Sequence, residues 1–384
     1  MELEYNPKYP MVEDLRKKAK GRIPGFAYDY LAGGCNEEIN LRKNTKEIRD
    51  IELMPQYIHE YNGINMKTEL FGHLYDAPFG IAPVGLQGLF WPGTPEILAK
   101  AAFEYNIPFC LSTVSTASIE TISELTEGNF WFQLYHPTED KMRDNLLKRA
   151  ADAGCSTLVI LSDVPTFGYR SKEIKNGLSM PPRMTFRNVR QAVMHPNWSI
   201  QTLLHGIPSF KTMDRYIPKS RGLNMHHLGV FMDKTFNGRL NEDRVKALRD
   251  KWKGNLVIKG LSSEEDMEKV VELGLDGVII SNHGGRQHDS GPSTINVLQE
   301  LAPKYKDKIK IMMDSGMRTG PDIARTLASG AEFTFLGRAF NYGPAALGKK
   351  GGRHTISILK RQLQQVMEQV CCENVEDLPK HLIK

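Results

Sequence analysis

Residues 277–287 read Gly277-Val278-Ile279-Ile280-Ser281-Asn282-His283-Gly284-Gly285-Arg286-Gln287. The first four form an apolar, β-branched run of the kind that makes a short buried strand. Directly after it come an imidazole and a guanidinium separated by two glycines. Histidine can take a proton near neutral pH, and arginine can clamp a carboxylate through two parallel hydrogen bonds. The glycines let the backbone turn tightly beneath them. One strand end thus delivers a base and a permanent cation together, a pairing suited to oxidation beside a carboxylate.

The same pattern repeats on both sides of this stretch. Short apolar runs alternate with helical periodicity from about residue 79 onward, the signature of βα units around a parallel sheet. The strand candidates are 79–83, 109–112, 130–135, 157–163, 256–259, 277–281, 309–314 and 333–337. Eight strands close a (β/α)8 TIM barrel, so the fold class is α/β. Helical patterns fall at 95–105, 119–125, 142–153, 243–252, 264–273, 295–301, 321–328 and 356–370. Residues 1–78 read as a helical segment that caps the barrel. No flexible linker separates that segment, so the 384 residues are expected to form a single domain.

One connection breaks the rhythm, an insertion over about 164–240 after the fourth strand, far longer than an ordinary βα loop. It holds Lys172, Lys175, Arg183, Arg187, Arg190, Lys211, Arg215, Lys219 and Arg221 with few acids, and the aromatics Phe186, Trp198, Phe210 and Tyr216. Such a segment is either a lid or a docking surface.

Bulk properties narrow the class. The formal charge of +5 is mild for this length, and no basic stripe with interleaved aromatics suggests nucleic acid. The five cysteines, Cys35, Cys110, Cys155, Cys371 and Cys372, lack metal-type pair spacing and read as reduced thiols; no metal site is expected. The apolar runs are shorter than the ~20 residues of a membrane span, and the start Met1-Glu2-Leu3-Glu4 lacks a secretory pattern, so a cytoplasmic protein is expected.

Barrel enzymes place their chemistry at the C-terminal ends of the strands. Here those ends carry Pro83-Val84-Gly85, Ser112, Gln133 with Tyr135, Asp163, Lys259, Ser281 to Arg286, Asp314-Ser315-Gly316, and Gly337-Arg338. Singly, each has a bland explanation: Asp163 a turn cap, Lys259 a snorkelling surface group, His283 a satisfied loop histidine, Tyr135 a rim aromatic. Charges that end apolar runs are nevertheless costly unless they meet a polar ligand. Their convergence on one face favours a polar-ligand site. The last two loops, with Arg318 and Arg338, occupy the barrel's usual phosphate position. No dinucleotide fingerprint follows a first strand, so a mononucleotide such as FMN fits better than NAD.

With these residues in hand, the chain resembles the FMN-dependent 2-hydroxy-acid dehydrogenase and oxidase family over nearly its whole length. The resemblance is carried by residues 281–287, by Ala82-Pro83-Val84-Gly85, Leu111-Ser112-Thr113-Val114-Ser115, Trp131-Phe132-Gln133-Leu134-Tyr135, the run from Ala153 to Val159, and Leu336-Gly337-Arg338-Ala339-Phe340. His195-Pro196 and Trp198 look closest to its quinone-linked L-lactate dehydrogenase branch. The resemblance implies His283 as catalytic base supported by Asp163, and a substrate carboxylate on Arg286 and Arg170. Tyr30 and Tyr135 would hydrogen-bond the substrate. Pro83, Val84, Gly85, Ser112, Gln133, Lys259 and Ser281 would hold the flavin ring, Asp314 the ribityl chain, and Ser315, Gly316, Arg318, Gly337 and Arg338 the phosphate end. It further implies a homotetramer and electron transfer to quinone or another acceptor.

Three positions depart from that family's pattern: Leu161 stands where a threonine is usual, and His288 and His136 are additional imidazoles. Both histidines are read as surface residues. Leu86, Val84 and Val114 are expected to wall the substrate pocket, and the small Val114 favours L-lactate over glycolate. An oxidase returning electrons to O2 is the runner-up. An FMN-dependent isomerase or a non-catalytic flavin-binding barrel is the reading from another class. The basic, aromatic insertion suggests a peripheral contact with the inner face of the membrane.

Overall fold

The computed structural model describes residues 5–178, 185–217, 234–236 and 239–383. A hairpin, β1 (Thr68–Leu70) and β2 (His73–Tyr75), precedes eight parallel strands. These are β3 (Phe79–Ile81), β4 (Cys110–Ser112), β5 (Trp131–Leu134), β6 (Thr157–Leu161), β7 (Asn255–Leu261), β8 (Gly277–Ile280), β9 (Lys310–Met313) and β10 (Phe333–Leu336). They pair in the order β3-β10-β9-β8-β7-β6-β5-β4. A parallel bridge between Ile81 and Phe109 joins the two ends, with the Ile81 N–H donating to the Pro108 carbonyl at 2.8 Å. All eight expected strands are present and the sheet is closed into a (β/α)8 barrel.

Strand alternation sorts the side chains into two cores. Val159, Val257, Ile279 and Met312 point inward, while Leu158, Ile160, Leu256, Ile258, Val278, Ile280, Ile311 and Met313 face the surrounding helices. The hairpin closes the N-terminal mouth. Phe71 packs on Trp131 with ring centroids 5.8 Å apart, Tyr75 meets Phe333 at 5.7 Å, and the Trp131 indole donates to the Tyr75 hydroxyl at 3.3 Å. The strand interiors are mostly apolar, and the polar groups that face a cavity collect at the opposite mouth.

That mouth is covered by the N-terminal segment, which forms three helices, Val12–Arg22, Gly25–Ala32 and Ile39–Arg49. The expected cap is thus helical, and it delivers Tyr30 to the cavity. A helix not among the expected ones, Arg338–Leu347, follows β10 and contains Gly343 and Pro344. Gly343 is a packing residue: a Cβ there would lie 2.5 Å from the Thr355 hydroxyl of the following helix, Gly351–Gln369. The described parts of the insertion include helices Ser171–Lys175, Phe186–Val193 and Pro196–His205. Trp198 and Phe210 are buried rather than presented outward, Trp198 donating its indole N–H to the Leu89 carbonyl at 3.1 Å. Arg183, Lys219 and Arg221 lie outside the described residues. All five cysteines are free thiols.

Trp131 joins the hairpin to the barrel interior and is 1% exposed. Trp131→Ala should lower the unfolding free energy by about 3–5 kcal/mol. Chemical denaturation with an unchanged m-value is the measurement.

Candidate active site

The strand ends and the N-terminal helices enclose a cavity of about 620 Å³. Its chemistry begins on the loop after β8. His283 has φ +58°, the left-handed region that a residue with a Cβ adopts only when held there. The holding bonds are on both sides. The His283 N–H donates to the Ser281 hydroxyl at 3.1 Å, and the Gly284 N–H donates to the Ser315 hydroxyl at 2.9 Å. Asn282 exchanges amide hydrogen bonds with Asn44 at 2.7 and 2.8 Å and donates to Asn40 at 3.0 Å, tying the loop to the helix Ile39–Arg49. Gly285 is required by approach as well as by its φ of +71°, since a Cβ there would lie 2.5 Å from the Leu41 nitrogen.

His283 Nδ1 lies 3.0 Å from Asp163 Oδ1. This contact selects the tautomer with the proton on Nδ1 and leaves Nε2 as the basic nitrogen. Burial lowers the His283 pKa below its ordinary value, against the opposing pull of Asp163. Burial alone would raise Asp163, but its interaction with the His283 ring and the charge of Lys259 prevail and hold it below the usual carboxylate range. Gly260 permits this arrangement: at the irregularity in β7, a Cβ would stand 2.6 Å from that of Asp163.

Two guanidinium groups stand beside the imidazole. Arg286 donates from Nη1 to the carbonyls of Tyr30 at 2.7 Å and Gly33 at 3.0 Å, and from Nη2 to Glu173 at 2.6 Å. Arg170 donates to the Gln287 side chain at 3.0 Å and faces Glu173 at 3.4 Å. Gln287 in turn donates to the Asp163 carbonyl at 3.1 Å, so the base and the cations share one frame. The Arg286 guanidinium lies over the Tyr30 ring, 5.0 Å from its centroid. Burial raises the pKa of both Tyr30 and Tyr135, which keeps their hydroxyls protonated.

Across the cavity, Lys259 donates to the Ser281 hydroxyl at 2.7 Å and pairs with Asp314 at 3.0 Å. Burial disfavours its charge, but Asp314 and Asp163 outweigh that and raise its pKa. Ser112 donates to Gln133 Oε1 at 3.0 Å, and Gln133 Nε2 is buried without a partner among the described residues. Arg318 and Arg338 are lowered chiefly by burial, and Arg338 also by the neighbouring positive charge of Arg318. Arg338 spends its donors on the carbonyls of Leu31 at 3.2 Å, Gly33 at 2.8 Å and Gly284 at 2.9 Å. Two buried cations beside the N-terminus of the helix Arg338–Leu347 fit a phosphate. A buried lysine and an unpartnered amide farther in fit the polar edge of a flavin ring. The donor set thus fits FMN.

The model of the FMN-dependent dehydrogenase family matches residues 19–384. The chain belongs to this family. It is 36% identical to the L-lactate dehydrogenase of Vibrio parahaemolyticus serotype O3:K6 (strain RIMD 2210633) over 366 residues, covering 95% of this chain and 96% of the relative. It is 34% identical to the (S)-mandelate dehydrogenase of Pseudomonas putida over 367 residues, covering 96% and 92%. Among solved structures, a monotopic membrane protein, (S)-mandelate dehydrogenase, superimposes with a TM-score of 0.92 at 34% identity, covering 98% of this chain and 99% of that one. The protein is therefore an FMN-dependent 2-hydroxy-acid dehydrogenase, and FMN is its cofactor.

Within this family member, Tyr30, Pro83, Val84, Gly85, Ser112, Gln133, Tyr135, Lys259, Arg170, His283, Arg286, Asp314, Ser315, Gly316, Arg318, Gly337 and Arg338 all line the one cavity. Asp163 and Ser281 stand behind it, in contact with His283 and Lys259. Val84 and Val114 are on the wall, whereas Leu86 is not, because its backbone turns away into a short 3-10 helix. Leu161 lines the cavity, and Ser162 faces away, donating to the Lys259 carbonyl at 2.9 Å. His288 is exposed, as expected. His136 is not a surface residue. Both its ring nitrogens are buried without a partner among the described residues, and burial lowers its pKa to about 4.

Sequence reasoning missed Glu173, Asn40 and Asn44. Glu173 sits in a stretch of basic residues with no strand to place it, and the asparagines are distant in sequence from the loop they hold.

Because Asp163 is the group that supports a charged imidazole, Asp163→Asn should move the His283 titration to lower pH. Proton NMR of the imidazole is the measurement, and an unmoved midpoint would contradict the electrostatic role.

Proposed function

We propose that the protein oxidises an L-2-hydroxy acid, foremost L-lactate, to the 2-oxo acid, with His283 as the base. The observation carrying this reading is the His283–Asp163 contact of 3.0 Å beside Arg286 and Arg170, on a cavity whose far side fits FMN. Arg286 and Arg170 bind the substrate carboxylate, and the protonated hydroxyls of Tyr30 and Tyr135 donate to its oxygens. This fixes C2 relative to the imidazole, the alignment on which the rate depends. His283 Nε2 takes a substrate proton, and Asp163 stabilises the imidazolium that results. Bound FMN supplies the two-electron acceptor for the C2–H bond. Lys259 would place a positive charge beside the polar edge of the flavin ring. Arg318, Arg338 and the amides near Gly337 hold the phosphate.

Similarity to L-lactate dehydrogenases and the small Val114 support lactate. A second reading, a 2-hydroxy acid with an aromatic side chain, is favoured by Phe167, Phe210 and Phe236 on the cavity wall and by the (S)-mandelate dehydrogenase likeness. Quinone is the proposed acceptor, with O2 the alternative.

We extend the proposal to a peripheral membrane contact. The insertion helices Phe186–Val193 and Pro196–His205 present Phe186 and Leu203 at 85% and 75% exposure, with Val193, Leu204 and Ile207 equally open. Arg187 and Arg190 lie among them and are exposed. An apolar face rimmed by cations is the pattern of an interfacial helix. No helix among the described residues is long and apolar enough to cross a membrane.

Anaerobic mixing with L-lactate should bleach the flavin, and dominant activity with D-lactate would sink the proposal. Oxygen added to the bleached enzyme should recolour it slowly; rapid recolouring would identify an oxidase. His283→Gln should retain FMN and lose about 10²–10⁴-fold in kcat. An isomerase or a non-catalytic barrel would be indifferent to it. Since burial holds the His283 pKa down and the neutral imidazole is the active form, kcat/KM should fall only below the ordinary histidine value of about 6.5. Partition onto anionic vesicles should weaken with salt, and no binding at low salt would remove the membrane contact.

A further inference from the structure

We infer that Glu173 is the positioning residue of the carboxylate clamp, setting the direction in which Arg286 presents its open donors and limiting the clamp to one substrate carboxylate. The inference rests on the proposed role of Arg286 and Arg170 as that clamp.

Glu173 is a carboxylate inside a cavity meant to receive a carboxylate, and its side chain is only 7% exposed. Such a group repels the ligand unless it organises the groups that bind it. Its Oε1 accepts from Arg286 Nη2 at 2.6 Å, and its Oε2 faces Arg170 Nη1 at 3.4 Å, so one anion spans both cations. Arg286 has five N–H donors. Nη1 commits its two to the Tyr30 and Gly33 carbonyls, and Nη2 commits one to Glu173. What stays open among the described residues is the Nε hydrogen and one Nη2 hydrogen. These two belong to neighbouring nitrogens of a rigid planar fork, the spacing that one carboxylate accepts in bidentate fashion. Remove Glu173, and the guanidinium keeps its carbonyl anchors at Nη1 but loses the contact that fixes the Nη2 side.

Charge gives the second consequence. Two guanidinium groups and Glu173 sum to a single positive charge, which one substrate carboxylate neutralises. Without Glu173 the clamp carries two, and it attracts any small anion more strongly while orienting the hydroxy acid less well.

The test uses the holoenzyme with FMN bound. Glu173→Gln should lower kcat/KM for the best hydroxy acid about 10- to 100-fold, the range expected for loss of one charge-assisted hydrogen bond. In the same variant, sulfate should bind more tightly, read both as competitive inhibition and as a sulfate titration of the flavin absorbance. Glu173→Asp keeps the charge on a shorter arm, so it should restore the wild-type sulfate affinity while leaving KM raised. General damage to the fold would weaken substrate and sulfate together. That outcome, or unchanged kinetics in both variants, overturns the inference. If Glu173→Gln does not accumulate as holoenzyme, a wild-type KM in Glu173→Asp overturns it as well. A wild-type enzyme whose flavin no hydroxy acid bleaches would instead refute the proposed function, and the sulfate titration would still report the charge of Glu173.

Discussion

Closure of the barrel at the Ile81–Phe109 bridge is the constraint on which the rest of the molecule depends. An open parallel sheet would leave β3 and β4 as separated edges, with Val84 and Ser112 at opposite sides of the protein. Closure turns the list of strand ends into a ring, so residues more than two hundred positions apart in sequence face one volume. The hairpin that fills the N-terminal mouth completes this. With Trp131 and Phe333 packed against it, the interior is solid at one end and open for chemistry only at the other.

The open end holds many charges in a small, largely dry space, and their mutual pairing decides their states. Lys259 retains its proton because Asp314 and Asp163 face it, and Asp163 stays ionised because His283 and Lys259 do. Burial outweighs the aspartate at His283 and favours its neutral form. Among the described residues, Arg318 and Arg338 form no ion pair and rest on backbone carbonyls, a state suited to receiving a phosphate. The N-terminal helices are part of this balance. The Tyr30 carbonyl accepts from Arg286, the Leu31 carbonyl from Arg338 and the Gly33 carbonyl from both, so the two guanidinium groups share a support.

Much of this was legible in the sequence, for a physical reason. A buried parallel strand is mostly apolar, so a charge after such a run, as in Leu256-Val257-Ile258-Lys259, marks the site, although β7 itself continues to Leu261. What escaped was whatever is defined by a neighbour distant in the chain. The helix Arg338–Leu347 contains Gly343 and Pro344, which local propensity disfavours, and Gly343 packs closely against the helix after it. Trp198 and Phe210 belong to a segment read as a lid or a docking surface, yet both are buried. His136 is half-buried, with both ring nitrogens out of solvent.

The sequence by itself determined the eight-strand alternation and the identity of the polar groups at each strand end, since periodicity is a local property, and its motifs carried the resemblance to the 2-hydroxy-acid dehydrogenase family. Only the tertiary structure decided that Glu173 bridges Arg286 and Arg170, that Asn40 and Asn44 hold Asn282 and so the left-handed His283, and that Leu86 leaves the wall. Those arrangements depend on distances between separate elements, and such distances exist only once burial of the apolar faces has brought the elements together.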